Sequence, residues 1–181
     1  MARQRRRTIG RTAIGAALVT VLASSATATA ATTYRSDPVT TGHVTTIDAT
    51  THTMRVTDNG RTVMTFPVGF GKPGFRTPSG TFHVLGKDAV IEMTSCSAHI
   101  TCDRSSPSYY DLTVHWAVRL TSGGVFVHAA PWDSQIGTAD TSHGCIHLST
   151  ADARRFYAFT RLGDTVIVQG TGRTSVGPAG P

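Results

Sequence analysis

Cys145 lies in T-S-H-G-C-I-H, Thr141 to His147, with His143 and His147 two positions to either side and His128 upstream. An ordinary thiol with a pKa near 8.5 is only about 3% thiolate at neutral pH, so a nucleophilic cysteine needs an imidazole or a positive field beside it. In an extended segment His143, Cys145 and His147 would face one way, because strand side chains alternate; in a turn they would not. Gly144 clears a side chain from the place where a substrate carbonyl must approach the backbone. It also lets two consecutive N–H groups aim at one point, an oxyanion hole in outline.

Three chemistries compete for these residues. The blandest is a buried structural cysteine near surface histidines, the usual fate of a lone Cys. A second is a zinc site, since His and Cys are favoured ligands; however, H-G-C-I-H leaves one residue between ligands where structural sites leave at least two. The third is a Cys–His acyl-transfer site, with the histidine as base and a further acceptor to orient it.

The elements that must carry these residues read mostly as strands. T-M-R-V-T-D-N-G-R-T-V-M-T-F-P-V is two alternating runs around Asp58-Asn59-Gly60, a hairpin signal, with Met64, Phe66 and Val68 on one face. T-F-H-V-L is a further strand, and Pro73 and Pro78 belong to the connection before it. Leu112, Val114, Trp116, Val118 and Leu120 alternate with Thr113, His115, Ala117, Arg119 and Thr121, the clearest half-buried strand, which makes Trp116 a packing residue. Val125 to His128 is the next strand, and its end delivers His128. Glu92 to Tyr109 lacks periodicity and reads as a long lid loop. Ser149, with Asp152 three residues on, reads as a helix N-cap; Ala153, Phe156 and Phe159 continue at helical spacing toward Gly163, and T-V-I-V-Q then closes the sheet.

Ahead of this, M-A-R-Q-R-R-R-T-I-G-R, a short apolar run from about Ala13 to Ala23, and small residues at Ala28 and Ala30 spell a secretory leader cleaved after Ala30. Arg3, Arg5, Arg6, Arg7 and Arg11 all lie in it, so without them the formal charge falls from +6 to +1. The basic balance is thus a targeting feature and argues for no nucleic-acid partner. Export into an oxidising compartment makes Cys96 and Cys102 a staple across a short loop, with two free buried thiols as the alternative, and leaves Cys145 as the reactive thiol. There is no internal repeat, phosphate-binding glycine loop or S-x-x-K serine nucleophile.

T-S-H-G-C-I-H-L, preceded by V-H-A-A-P-W, resembles the signature of the L,D-transpeptidase (YkuD-type) catalytic domain, especially in its actinobacterial members. G-K-P-G-F-R-T-P-S-G-T-F-H-V-L from Gly71, Y-Y-D-L-T-V-H-W-A-V-R-L from Tyr109 and R-L-G-D-T-V-I-V-Q-G-T from Arg161 resemble the same family in the same order, over about His43 to Thr171. The resemblance implies one mostly β catalytic domain, sandwich-like or barrel-like, with one short helix after the cysteine and a long lid loop. The boundaries expected are a signal peptide over 1–30, a linker over 31–42, the catalytic domain over 43–171 and a disordered tail over 172–181.

It implies Cys145 as nucleophile, His128 as base, and the carbonyl of Ala129 as the group that orients His128, at a position where relatives often carry serine. His143 and Gly144, with the Cys145 N–H, would line the oxyanion site, joined by Tyr110 or its neighbour Tyr109. Trp132, Ser142 and His147 would stand on the substrate side, His147 where relatives usually have Arg or Asn. No metal and no cofactor is implied. The expected protein is an exported, monomeric wall enzyme that acts on peptidoglycan stem peptides, forms 3→3 cross-links through a Cys thioester and is acylated by carbapenem β-lactams. An L,D-carboxypeptidase, or a catalytically silent peptidoglycan-binding module, is the alternative.

Overall fold

The structure, a computed structural model, describes residues 42–174. The signal peptide expected over 1–30 and nearly all of the linker expected over 31–42 lie outside the described residues, as do residues 175–181.

Nine strands and one helix follow in order: β1 (His43–Asp48), β2 (Thr53–Asp58), β3 (Arg61–Pro67), β4 (Gly80–His83), β5 (Gly86–Thr94), β6 (Asp111–Arg119), β7 (Phe126–Ala129), β8 (Ile146–Leu148), α1 (Thr150–Phe159) and β9 (Thr165–Gln169). They form a five-stranded sheet, β3-β2-β1-β9-β4, and a four-stranded sheet, β5-β6-β7-β8. Asn59 and Gly60 both have positive φ, 47° and 77°, the two-residue turn whose twist suits an antiparallel hairpin. On β3, Phe66 is buried and Met64 packs beside it, with Val68 buried just beyond, as their alternation requires.

One core joins both sheets and the helix. Ile47, Met54, Phe66 and Val168 of the larger sheet meet Val118, Val127, Ile146 and Leu148 of the smaller, with Ala153 and Phe156 of α1. Complete burial of a residue such as Phe156 stabilises the fold by about 1.5–3 kcal/mol. The Ser149 side chain accepts from the Asp152 N–H at 3.1 Å, which caps α1 as the sequence predicts. The helix ends at Phe159 and not near Gly163, because Thr160 is already extended, with ψ of 144°.

Three further expectations need correction, and one alternative left open by the sequence is decided. β5 lacks a sequence signal and takes Glu92 to Thr94 from the predicted lid, leaving Ser95 to Tyr110 as the loop. The alternation on β6 breaks at Trp116, whose φ of +55° is foreign to a bulky residue; Ala117, expected outside, is wholly buried. The Trp116 ring meets Tyr157 of α1 at 5.5 Å, so it does pack. Cys145 is not in an extended segment: β8 starts only at Ile146. Residues 172–174 do not leave the domain, since the Arg173 carbonyl accepts from the Ser79 N–H at 2.6 Å and the Arg173 guanidinium donates to the Arg76 carbonyl at 2.9 Å.

Candidate active site

Strand pairing gathers the site. β7 and β8 run parallel, with His128 opposite His147 and Ala129 opposite Leu148, so two histidines remote in sequence become lateral neighbours with ring centroids 5.0 Å apart. A parallel pair needs a crossover, and the connecting segment carries Trp132, Asp133, Thr141, His143 and Cys145. Tyr110, His128, Trp132, His143, Cys145 and His147 line a single cavity of about 420 Å³. Leu112 and Val114 of β6 and Met93 of β5 supply its apolar wall.

The turn that presents Cys145 is braced from three sides. Gly144 has φ of +124°, a region L-residues rarely enter. Ser142 accepts from the Gly144 N–H at 3.0 Å and donates to the Cys145 carbonyl at 2.6 Å, closing the turn on itself. Thr77, buried behind it, accepts from the Gly71 N–H and donates to the Gly144 carbonyl, both at 3.0 Å. On the third side Gly69 exchanges two backbone bonds with His147, at 3.0 and 2.9 Å.

This geometry bears on two expected roles. Ser142 is 3% exposed and spends its hydroxyl on the turn, so it shapes the site from within the cavity wall. The Gly144 N–H is taken by that hydroxyl, so of the N–H groups expected to line the oxyanion site this one is committed within the turn.

His128 is buried at the end of β7, and its Nδ1 lies 2.8 Å from the Ala129 carbonyl. A carbonyl only accepts, so Nδ1 carries the proton and Nε2 keeps its lone pair. Ala129 thus does with its main chain what a serine at that position would also do with its main chain. Burial, helped by the nearby His147, pushes His128 down to about 4, although the Ala129 bond opposes this.

Cys145 is half-buried, and burial pushes its thiol up to about 11, against a small contrary pull from the Phe126 N–H. The thiol donates to the Gly124 carbonyl at 3.6 Å. Burial thus favours the uncharged pair, thiol and imidazole, over thiolate and imidazolium.

The remaining side chains divide clearly. Tyr110 lines the cavity with its ring 5.3 Å from His143, and burial together with the Cys145 charge pushes its phenol up to about 12, so it stays a donor. Tyr109 lies instead under the Arg104 guanidinium, 5.8 Å away on the lid, and is not part of the cavity wall. Ser95 knots the lid's base: its N–H donates to the Tyr110 carbonyl at 3.0 Å and its hydroxyl to the Thr101 carbonyl at 2.7 Å. Cys96 and Cys102 form the expected disulfide inside that loop.

His143 packs edge-on to Phe75 at 4.7 Å, and burial, then Lys72 and His147, hold it below its usual range. Trp132 is 47% exposed at the rim, with His128 and His147 about equally near, 6.2 and 6.1 Å. His147 meets Asp133 at 2.7 Å. Among the described residues no group of three or more His, Cys, Asp or Glu side chains is placed to hold a metal ion. The sequence reading missed Thr77, Phe75, Gly124, Asp133 and Thr141, none of which belongs to a pattern that spacing alone reveals.

Residues 42–168 match the family model of the YkuD L,D-transpeptidase catalytic domain. L,D-transpeptidase 1 of Mycobacterium tuberculosis (strain ATCC 25618 / H37Rv) is 41% identical over 120 residues, which are 66% of this chain and 47% of the relative. The chain thus spans about half the length of that curated relative. A solved L,D-transpeptidase from Mycobacterium smegmatis is similar with a TM-score of 0.67 and 43% identity, over 71% of this chain and 58% of that one. LD transpeptidase LdtMt1 in complex with imipenem is similar with a TM-score of 0.68 and 37% identity, over 71% and 59% of the two chains.

Proposed function

Because the chain belongs to the YkuD L,D-transpeptidase catalytic domain family, we propose that it is an exported enzyme that cross-links peptidoglycan stem peptides through a thioester on Cys145. The observation that carries the reading is the imidazole of His128, fixed by Ala129 so that its free lone pair and the Cys145 thiol share one cavity.

With both groups neutral at rest, the thiol must leave the Gly124 carbonyl and pass its proton to His128 Nε2 as Sγ attacks. The carbon attacked is the carbonyl of the third stem residue, a diamino acid. Its oxygen gains negative charge, which the Cys145 N–H and the phenol of Tyr110 can meet with hydrogen bonds. The C–N bond to D-alanine then breaks, and His128 returns the proton to the departing amine. An amine of a neighbouring stem opens the thioester to give the cross-link; water opening it gives carboxypeptidase trimming.

The catalytic unit proposed is residues 43–171, behind a leader over 1–30 that is removed on export and a linker over 31–42. Secretion to the cell wall follows from that leader. Imipenem, which is held by LdtMt1, is proposed to acylate Cys145 here. Incubation of the purified chain with tetrapeptide-rich muropeptides, read by mass spectrometry, tests the function. Cross-linked dimers support it, tripeptides support the carboxypeptidase, and unchanged muropeptides overturn both.

A further inference from the structure

His147 stands beside His128 in the same tautomeric state. Its Nδ1–H donates to Asp133 Oδ2 at 2.7 Å, and the same oxygen accepts from Thr141 Oγ1 at 2.6 Å. The other oxygen of Asp133 accepts from the Gln135 N–H at 3.0 Å. The side chains of His147 and Asp133 are only 8% and 3% exposed, so the couple is held in place. With Nδ1 committed, the remaining lone pair of His147 is on Nε2, and the ring lines the cavity that holds Cys145 and His128. A carboxylate that fixes an imidazole's tautomer and orientation builds a general base. Removing one proton from one thiol requires a single base, and of the three histidines that line this cavity two, His128 and His147, have Nδ1 committed to an acceptor and Nε2 left as a base.

The inference rests on the transpeptidase reading, in whose second half-reaction two protons must be cleared. An alkyl amine with a pKa of about 10.4 is only about 0.04% free base at pH 7, so the acceptor arrives as an ammonium ion. It loses one proton to become a nucleophile and another once the new C–N bond has formed. We propose that His147, oriented by Asp133, is the general base that takes the first of these protons, leaving His128 to take the second.

The step balances. Nε2 of His147 accepts a proton from the ammonium, and the freed amine nitrogen attacks the thioester carbon. The second N–H proton passes to His128 Nε2; the C–S bond breaks, and the departing thiolate recovers that proton. The His147 imidazolium then releases its own proton to water. Burial holds His147 below its ordinary pKa although Asp133 pulls the other way, so the ring is neutral and able to accept near pH 7. The titratable groups that face it are Asp133 on the crossover, His128 on β7, His143 and Cys145 on the catalytic turn, and Tyr110 across the cavity.

The test uses the full chain acylated by a tetrapeptide ending in a diamino acid and D-alanine. The acyl-enzyme is offered Nα-acetyl-lysine, almost wholly ammonium at pH 7, or hydroxylamine, which is neutral there. Mass spectrometry gives the ratio of amide or hydroxamate to hydrolysed peptide, which reports how the acyl-enzyme is resolved and not how fast it forms.

His147→Asn keeps an N–H for Asp133 but has no base. In it the acetyl-lysine ratio at pH 7 should fall by about tenfold or more and recover as the pH approaches that amine's own pKa. The hydroxylamine ratio should change by less than about twofold, far below the weight of a positioned base. Equal loss with both amines, or an unchanged acetyl-lysine ratio, would overturn the proposal. Asp133→Asn retains an oxygen for Nδ1–H but removes the charge that raises His147. The low-pH limb of the acetyl-lysine profile should then move to lower pH, and a limb that stays in place also overturns it. If the wild-type chain releases no D-alanine from the tetrapeptide, the transpeptidase reading itself fails and this inference with it; D-alanine release accompanied by amine-blind resolution strikes the inference alone.

Discussion

The resting state of Cys145 can be measured directly. With its thiol pushed up to about 11, the thiolate fraction at pH 7 is about 10⁻⁴. An ordinary thiol is about 3% ionised there, so alkylation of Cys145 by iodoacetamide at pH 7 should run roughly 300-fold slower than that of a cysteine peptide. The rate should climb about tenfold per pH unit up to at least pH 10, as expected of a thiol still far from its midpoint.

His128 contributes little to that number, because burial holds it down to about 4 and it carries no charge with which to stabilise a thiolate. His128→Ala should therefore leave the alkylation profile within about half a pH unit of wild type, yet slow acylation by substrate by about 10²–10⁴-fold, the weight of a positioned base. Quantifying the alkylated chain by mass spectrometry from pH 6 to 10 in both proteins decides the matter. A wild-type midpoint near or below 7 that rises in His128→Ala would refute the reasoning, since it would mean a preformed thiolate–imidazolium pair.

Cys145→Ala should abolish both D-alanine release and acylation by imipenem; an adduct that persists in this variant would move the nucleophile elsewhere. Stability should fall with acid because of His128. Its pKa drops from about 6.5 unfolded to about 4 folded, so the unfolded chain binds the proton first and stability is lost as the pH falls through that window. Urea unfolding should report about 2 kcal/mol less stability at pH 5 than at pH 7, a loss reduced in His128→Asn; identical profiles for the two proteins would exclude this source. A Cβ at position 71 would lie 1.9 Å from the Phe75 carbonyl and 2.8 Å from the Thr77 nitrogen, so Gly71→Ala must open the turn that lets Thr77 hold Gly144. We expect it to lower the acylation rate by about tenfold or more, the scale of a misplaced reacting group, and wild-type kinetics in this variant would show that the brace is dispensable. Cys96→Ser with Cys102→Ser removes a short-loop closure worth about 2 kcal/mol. Limited proteolysis should then cut first between Ser95 and Tyr110, and cleavage elsewhere would locate the staple's effect outside the lid.

The chemistry and much of the framework lie in local patterns that a chain cannot hide. Asn59-Gly60 demands positive φ wherever it occurs, Ser149 caps a helix through its own neighbour's N–H, and β2, β3 and β9 alternate because one face of each meets the core. S-H-G-C with an upstream histidine points to Cys145 and His128 because both roles depend on residue type. β5 gave no such signal: it is an edge strand whose burial never settles into period two, since part of it walls the cavity and not the core. Tertiary structure alone chose Tyr110 over Tyr109, tied the Ser142 hydroxyl to the Cys145 carbonyl, gave the Gly144 N–H to that serine, and set Asp133 on His147. The physical reason is the parallel pairing of β7 with β8. Its register decides which side chains from opposite ends of a long crossover become neighbours, and register is fixed by how Val127, Ile146 and Leu148 fill a shared core, not by their spacing in the sequence.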